Sequence, residues 1–280
     1  MLTSYLRWWK LQARSEATVR NYVYALRRFA VHLGGEDRLA RATRDELEEW
    51  LAGRLDEVSA ATVSVEYRAV RSYFGWLADE GERVDNPAKG LRGPRVVETP
   101  VPVADELTYK RLLATTKGSS LLDRRDAVIL ALLWHGGLRR GELVVCDVTD
   151  VDLDAGVVEI PTTKGGRPRR VALHPEAVGL LDRYLRRRGP DDGPLLLAER
   201  GGRLTSNGIG QVLHRRGEIA GVTVSAHSFR RALAVRWLRA EGSTSGLMAH
   251  AGWRSEAMVR RYTRMSAEEL AHAEYRRLLG

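Results

Sequence analysis

Four of the chain's nine prolines fall between residues 86 and 103, at Pro87, Pro94, Pro100 and Pro102, with Gly90 and Gly93 among them. Proline has no backbone N–H and a locked φ, and it drives the preceding residue out of helical conformation. Neither a helix nor an interior strand crosses such a stretch. Residues 91–103 are therefore expected to form an extended linker between segments 1–90 and 104–280. In a chain of 280 residues, each segment is long enough to bury a core of its own.

The first segment reads as helices. Ser15 is a capping residue type, and after it Val19, Tyr22, Val23, Leu26, Phe29, Ala30 and Leu33 recur at the helical period. Thr43 and Glu46 have the spacing of a capping box, opening a helix that holds Leu47, Trp50 and Leu51. Over about 60–80, Val63, Tyr67, Val70, Phe74 and Leu77 share one face. The second segment is mixed. Helices are expected from the Asp105 cap to about 117, over 120–135, and near 175–188, 205–219, 227–240, 244–250 and 255–262, with a last one at about 266–278. Between them lie β-like runs at Val148–Val151, Val157–Ile160 and Arg170–Leu173. The fold class this predicts is mainly α with a small sheet, an α+β arrangement.

The formal net charge is +9, with +2 on residues 1–95 and +7 on residues 96–280, which points to a polyanionic partner such as nucleic acid. Only five of the 45 cationic residues are lysines, so a lysine in a motif stands out. On the polar helix faces, Arg20, Arg27, Arg28, Arg68 and Arg71 are candidates for contact with DNA phosphates, the alternative being ordinary solvated charge. Lys89, Arg92 and Arg95 suit a strap along a phosphate backbone. The single cysteine, Cys146, excludes an intrachain disulfide, fits a reducing cytoplasm, and follows an apolar run that suggests a buried, inert thiol. The sequence contains no apolar stretch of membrane-spanning length and no secretion signal, so a cytoplasmic location is expected. The seven histidines show no metal-ligand spacing, and neither a P-loop nor a dinucleotide fingerprint is present. No metal or cofactor is expected, and Gly136-Gly137 and Gly165-Gly166 read as turns.

The informative residues stand in five local contexts. Arg139 lies in Gly-Gly-Leu-Arg-Arg-Gly-Glu-Leu, with Glu142 one turn on; Lys164 lies in Thr-Lys-Gly-Gly-Arg. His227 and Arg230 lie in His-Ser-Phe-Arg-Arg, Trp253 in Ala-Gly-Trp, and Tyr262 among Arg260, Arg261 and Arg264. Taken in this order, the set resembles the tyrosine recombinase (phage integrase) family. The resemblance covers most of the chain. Residues 1–90, with Ser15 and Thr18 near the start and Asn86-Pro87 at the end, are similar to that family's helical core-binding (SAM-like) DNA-binding domain. Residues 104–280 are similar to its catalytic domain, in the two-domain form without an arm-binding segment. Trp253 stands where most members have a second histidine, and His-Ser-Phe-Arg-Arg is looser than the commonest His-x-Leu-Arg-His form. Neither departure removes a required group.

The chemistry explains why these residue types would be needed. Two guanidiniums, Arg139 and Arg230, can clamp the nonbridging oxygens of a scissile phosphate through planar bidentate hydrogen bonds that lysine cannot copy. Glu142 can orient Arg139 or His227. Tyr262 is the candidate nucleophile, a phenol with an unperturbed pKa of about 10 that needs cations or a base nearby. Lys164, in a glycine-rich turn between two strands, can protonate the leaving 5′ oxygen, and His227 can exchange a proton with the phenol. Trp253 offers an Nε1–H donor to the phosphate, or simply packs. By resemblance, the implied activity is site-specific DNA recombination through a 3′-phosphotyrosyl link and a Holliday junction. It would be carried out by a tetramer on two duplex DNA sites, without metal or ATP. The alternatives are relaxation of DNA as by a type IB topoisomerase, and a catalytically silent DNA-binding regulator.

Overall fold

The structure is a computed structural model that describes residues 1–12, 16–96, 103–161, 168–263 and 267–279, apart from the side chains of Ala17, Arg261, Tyr262, Thr263, Glu269, Leu270 and Ala273. Ser15, Lys164, Arg264 and Ser266 lie outside the described residues. The chain forms two compact units, Met1–Thr99 and Pro100–Gly280, whose boundary falls inside the expected linker.

The first unit holds α1 (Leu2–Leu11), α2 (Glu16–Leu33), α3 (Arg44–Glu57) and α4 (Ala60–Asp79), with a 3-10 turn at Glu36–Arg41. The capping box forms as its spacing predicts: Thr43 Oγ1 accepts from the Glu46 N–H at 3.2 Å, and Glu46 Oε2 accepts from the Thr43 N–H at 2.8 Å. Leu26 and Phe29 of α2, Leu47 and Trp50 of α3, and Val63, Val70, Phe74 and Leu77 of α4 meet in one buried core. Helix α1 is an element that the periodicity did not separate out. It adds Tyr5 and Trp9 to this core, and the Tyr5 hydroxyl donates to Ser72 Oγ at 2.8 Å. Beneath α4 the buried Arg54 guanidinium makes a two-point pair with Glu66, at 3.0 and 2.9 Å.

The start of the expected linker is docked on this unit. Leu91 packs on the core and its carbonyl accepts from the Tyr67 hydroxyl. A Cβ at Gly93 would come within 2.6 Å of the Tyr67 ring, so glycine is what lets the backbone cross it.

The second unit opens with α5 (Glu106–Ala114), capped by Asp105 through a 2.7 Å bond from the Thr108 N–H, and α6 (Leu121–Trp134). Residues Ala127–Trp134 of α6 are buried, which makes it the central helix of the unit's core. A short α7 (Arg140–Leu143) precedes a sheet of three antiparallel strands in the order β1 (Val151–Asp152), β2 (Val157–Ile160), β3 (Arg169–Ala172). The strand expected at 148–151 shrinks to its last residue plus Asp152. Asp150 Oδ2 accepts from the Asp147 N–H at 2.8 Å and turns Val148–Asp150 into a 3-10 helix instead. Six helices follow: α8 (Pro175–Arg188), α9 (Ser206–Ala220), α10 (Ala226–Arg239), α11 (Thr244–Ala251), α12 (Glu256–Thr263) and α13 (Ala267–Leu279). Cys146 is buried and its thiol is pushed up to about 12 by that burial, as expected of an inert residue. Among the described residues, no helix is long and apolar enough to cross a membrane.

Candidate active site

The turn after α6 presents the first arginine. Gly137 has φ +58, and a Cβ there would come within 2.4 Å of Leu233, so only glycine fits this reversal. Arg139 then takes the N-cap position of α7, one turn ahead of Glu142, as the spacing predicts. Glu142 is 2 % exposed and accepts from the Arg139 N–H at 2.7 Å and from Arg139 Nη1 at 2.7 Å. A second guanidinium reaches the same carboxylate: Arg169 Nη1 and Nη2 donate at 2.9 and 3.0 Å. Burial pushes the Glu142 carboxyl up, but the bonds from Arg169 and Arg139 outweigh it and hold the group below its ordinary range.

Arg230, on α10, is 1 % exposed and comes within 3.9 Å of the Glu142 carboxylate. Its Nη1 donates to the Gly137 carbonyl, and its guanidinium lies 5.3 Å from the centre of the Trp253 ring. The three arginines share one further anchor. At the C-terminal end of α11, three successive carbonyls each accept from one of them: His250 from Arg169 Nε at 3.0 Å, Ala251 from Arg230 Nη2 at 2.7 Å, and Gly252 from Arg139 Nη2 at 3.2 Å. The last carbonyls of a helix have no acceptor role within it and carry its negative end, so a cluster of cations suits them.

Trp253 is buried with Leu233, Ala234, Leu247, Ala251 and Val259. Val259 belongs to α12, so the indole links the arginine cluster to the helix whose sequence includes Tyr262. Helix α12 also packs against α10. His227, one turn ahead of Arg230, is exposed and lines a cavity of about 670 Å³ together with Arg140, His214, Val224 and Ser225. Partial loss of water around its ring, and the charges of Arg230, Arg231, Arg140 and Arg139, hold its pKa below the usual histidine value. Lys164 falls in the connection between β2 and β3, outside the described residues.

The structure thus brings Arg139, Glu142, Arg230 and Trp253 together, with His227 beside them and α12 packed on the same helix. Arg169 was missed by reading the sequence. The available signal was strand alternation, which turns Arg169 and Val171 to the inner side of β3 while Arg170 and Ala172 face out.

Most of the candidate DNA-contacting cations on the first unit are exposed: Arg20, Arg27, Arg68, Arg71, Lys89, Arg92 and Arg95. Arg28 is half-buried and donates to Glu57 at 3.2 Å. Arg20 and Arg27 stand 3.6 and 4.0 Å from Glu16 and Glu36, loose surface pairs that leave both available to another anion.

A second cluster, of which histidine spacing gave no sign, gathers His135, His174 and Glu176. Glu176 Oε2 is 2.9 Å from His135 Nε2 and accepts from the Tyr109 hydroxyl at 2.8 Å. The two imidazoles stack at 4.2 Å with 3° between their planes. Lone pairs in two parallel planes do not converge on one ion, so the group works as a hydrogen-bonded tie between α5, α6 and α8.

Comparison with known proteins agrees with this architecture. Residues 103–269 match the Phage integrase family, and residues 2–81 match the Phage integrase, N-terminal SAM-like domain. The chain is 26 % identical over 277 residues to tyrosine recombinase XerA of Pyrococcus furiosus, covering 98 % of this chain and 92 % of that one. It is 29 % identical over 216 residues to tyrosine recombinase XerC of Salmonella typhi, covering 75 % of this chain and 71 % of the other. Among solved structures, a lambda integrase dimer bound to a COC' core site shares the fold at a TM-score of 0.75 and 19 % identity, covering 93 % of this chain and 75 % of that one. A lambda integrase tetramer bound to a Holliday junction does so at 0.72 and 20 %, covering 91 % and 76 %. With more than half its length matched by the catalytic-domain model, the chain belongs to the phage integrase family of tyrosine recombinases.

Proposed function

We propose that this protein cuts and rejoins duplex DNA at specific sites, with Tyr262 as nucleophile and Arg139 and Arg230 as the phosphate clamp. The observation that carries the reading is the cluster itself. Two arginines distant in sequence share one buried carboxylate and one helix end, and α12, whose sequence contains Tyr262, packs on the helix that bears Arg230. In the present state both guanidiniums direct donors at protein carbonyls, and Arg139 is the more exposed of the two.

In the proposed reaction the Tyr262 oxygen attacks phosphorus, and its proton passes to neutral His227. The bond from phosphorus to the 5′ oxygen breaks, and Lys164 protonates that oxygen. The products are a 3′-phosphotyrosyl ester and a free 5′-hydroxyl. A 5′-hydroxyl from a partner strand then attacks the ester and releases Tyr262. The ester conserves the bond energy, so neither ATP nor a metal is required. By analogy with lambda integrase on a Holliday junction, four protomers on two DNA sites would perform two such exchanges. Duplex DNA is the substrate, with exposed arginines of the first unit contributing to its backbone contacts.

The test is covalent capture from a pool of randomised duplexes, followed by sequencing of the captured DNA. The wild-type chain is expected to retain one preferred sequence. Tyr262→Phe, which lacks only the hydroxyl, is expected to bind the same duplex and capture none. Capture by Tyr262→Phe at the wild-type level removes Tyr262 as nucleophile. Relaxation of supercoiled DNA without a preferred site would instead indicate a topoisomerase.

A further inference from the structure

We propose that Arg169 is a positioning residue for strand cleavage: by holding Glu142 and the end of α11, it frees Arg139 to turn from the protein to the scissile phosphate. The role rests on the recombinase reading above. It follows from how the donors around Glu142 are shared.

The Glu142 side chain is 3 % exposed, and among the described residues two guanidiniums hydrogen-bond to it, Arg139 and Arg169. Arg230 Nη1 stands farther off, at 3.9 Å. A buried carboxylate stripped of its cation is an uncompensated charge, which a protein strongly resists. If Arg139 moves to a phosphate, Glu142 keeps the two-point bond from Arg169 and the backbone N–H of Arg139, and the carboxylate stays paired. Without Arg169, Arg139 becomes the guanidinium that Glu142 depends on, and the carboxylate competes with DNA for it.

Exposure separates the two arginines. The Arg139 side chain is 39 % exposed and can meet a ligand, whereas that of Arg169 is 12 % exposed and faces inward. Arg169 is fixed on three sides. Its residue pairs with Ile160 across the β2–β3 ladder, and its Nε donates to the His250 carbonyl at 3.0 Å. Gly252, at φ +65, leaves it room: a Cβ there would come within 2.8 Å of the guanidinium. Arg169 also begins β3, the strand that follows the connection containing Lys164 in sequence.

The experiment uses the full-length chain and the duplex captured by the wild type. It measures single-turnover cleavage at saturating DNA, the DNA dissociation constant and the melting temperature. Arg169→Gln is expected to slow cleavage by about 10²-fold, as misplacement of a reacting group does, with little change in DNA affinity. Adding Glu142→Gln to Arg169→Gln removes the competing charge and is expected to recover most of that rate. Arg170→Gln, at the exposed neighbouring position paired with Glu159 at 3.3 Å, is expected to cleave as wild type. A wild-type rate for Arg169→Gln overturns the proposal. So does a loss that Glu142→Gln does not relieve, which marks Arg169 as structural only. Should Arg169→Gln not fold, Arg169→Lys keeps the charge, loses the fork, and is judged by the same two criteria. Failure of the wild-type chain to capture any duplex overturns the recombinase reading itself, and the role of Arg169 with it.

Discussion

His227 sits among four arginines. Arg230 and Arg231 follow it on α10, and Arg139 and Arg140 face it from the start of α7. With partial burial, these charges hold its pKa below the ordinary value of about 6.5, so the imidazole is neutral near pH 7 and able to accept a proton. If it takes the Tyr262 proton, cleavage is lost as pH falls through that depressed pKa, and the acid limb lies below about pH 6.5. Arg140→Gln removes one positive charge, stabilises the protonated ring and should move the limb to higher pH. A limb that stays put or moves lower would show that another group is titrating. At this scale the sequence was partly legible. The pairing of Arg139 with Glu142 follows from their spacing of one helical turn, a local relation. The partnership of Glu142 with Arg169 joins α7 to β3 and has no local signature.

At the scale of elements, most helices were legible because caps and apolar periods are local. Ser120 closes the N-terminus of α6 through the Asp123 N–H at 3.0 Å, Thr205 that of α9 through Gly208 at 3.0 Å, and Ser243 that of α11 through Gly246 at 3.1 Å. The misread strand at 148–151 shows the limit, since two aspartates offered the backbone a local bond that outcompeted the ladder. How elements join is a tertiary matter. Asp126 on α6 is fully buried and pairs with Arg125 at 2.8 Å and, from α9, with Arg215 at 2.8 Å and Arg216 Nε at 2.9 Å. Asp126→Ala leaves the buried Arg125 guanidinium without its carboxylate and should cost about 3–5 kcal/mol in a urea melt. Arg186→Ala breaks an exposed pair with Asp182 and should leave the urea midpoint essentially unchanged. Equal losses from the two would mean that the α6–α9 network is not what binds those helices.

For the whole molecule, a net charge of +9 fits a polyanionic partner, and the proposed assembly of protomers puts a question to α13. Arg277 bonds to Glu241 at 2.9 Å, and α13 packs on α10, yet Tyr275, Leu278 and Leu279 remain 62 %, 60 % and 74 % exposed. These three side chains leave apolar surface in water at the end of the helix. Deleting residues 264–280 should leave binding to a single DNA site intact. Sedimentation of the complex on captured DNA should then show a loss of higher-order assemblies. If the truncated chain still assembles as the full one does, α13 serves its own protomer.

What the sequence alone determined is what depends on near neighbours. The break in helix at the prolines, the helix starts and the turn at Gly136-Gly137 all follow from backbone rules acting over a few residues. Tertiary structure decided what those side chains do to one another. It docked Leu91 and Gly93 on Tyr67, turned Arg169 inward, and stacked Trp253 beneath Arg230. It also set three arginines from three elements on the successive carbonyls of His250, Ala251 and Gly252. A buried charge must find a partner wherever the fold supplies one, and the end of a distant helix has no mark in the sequence around an arginine.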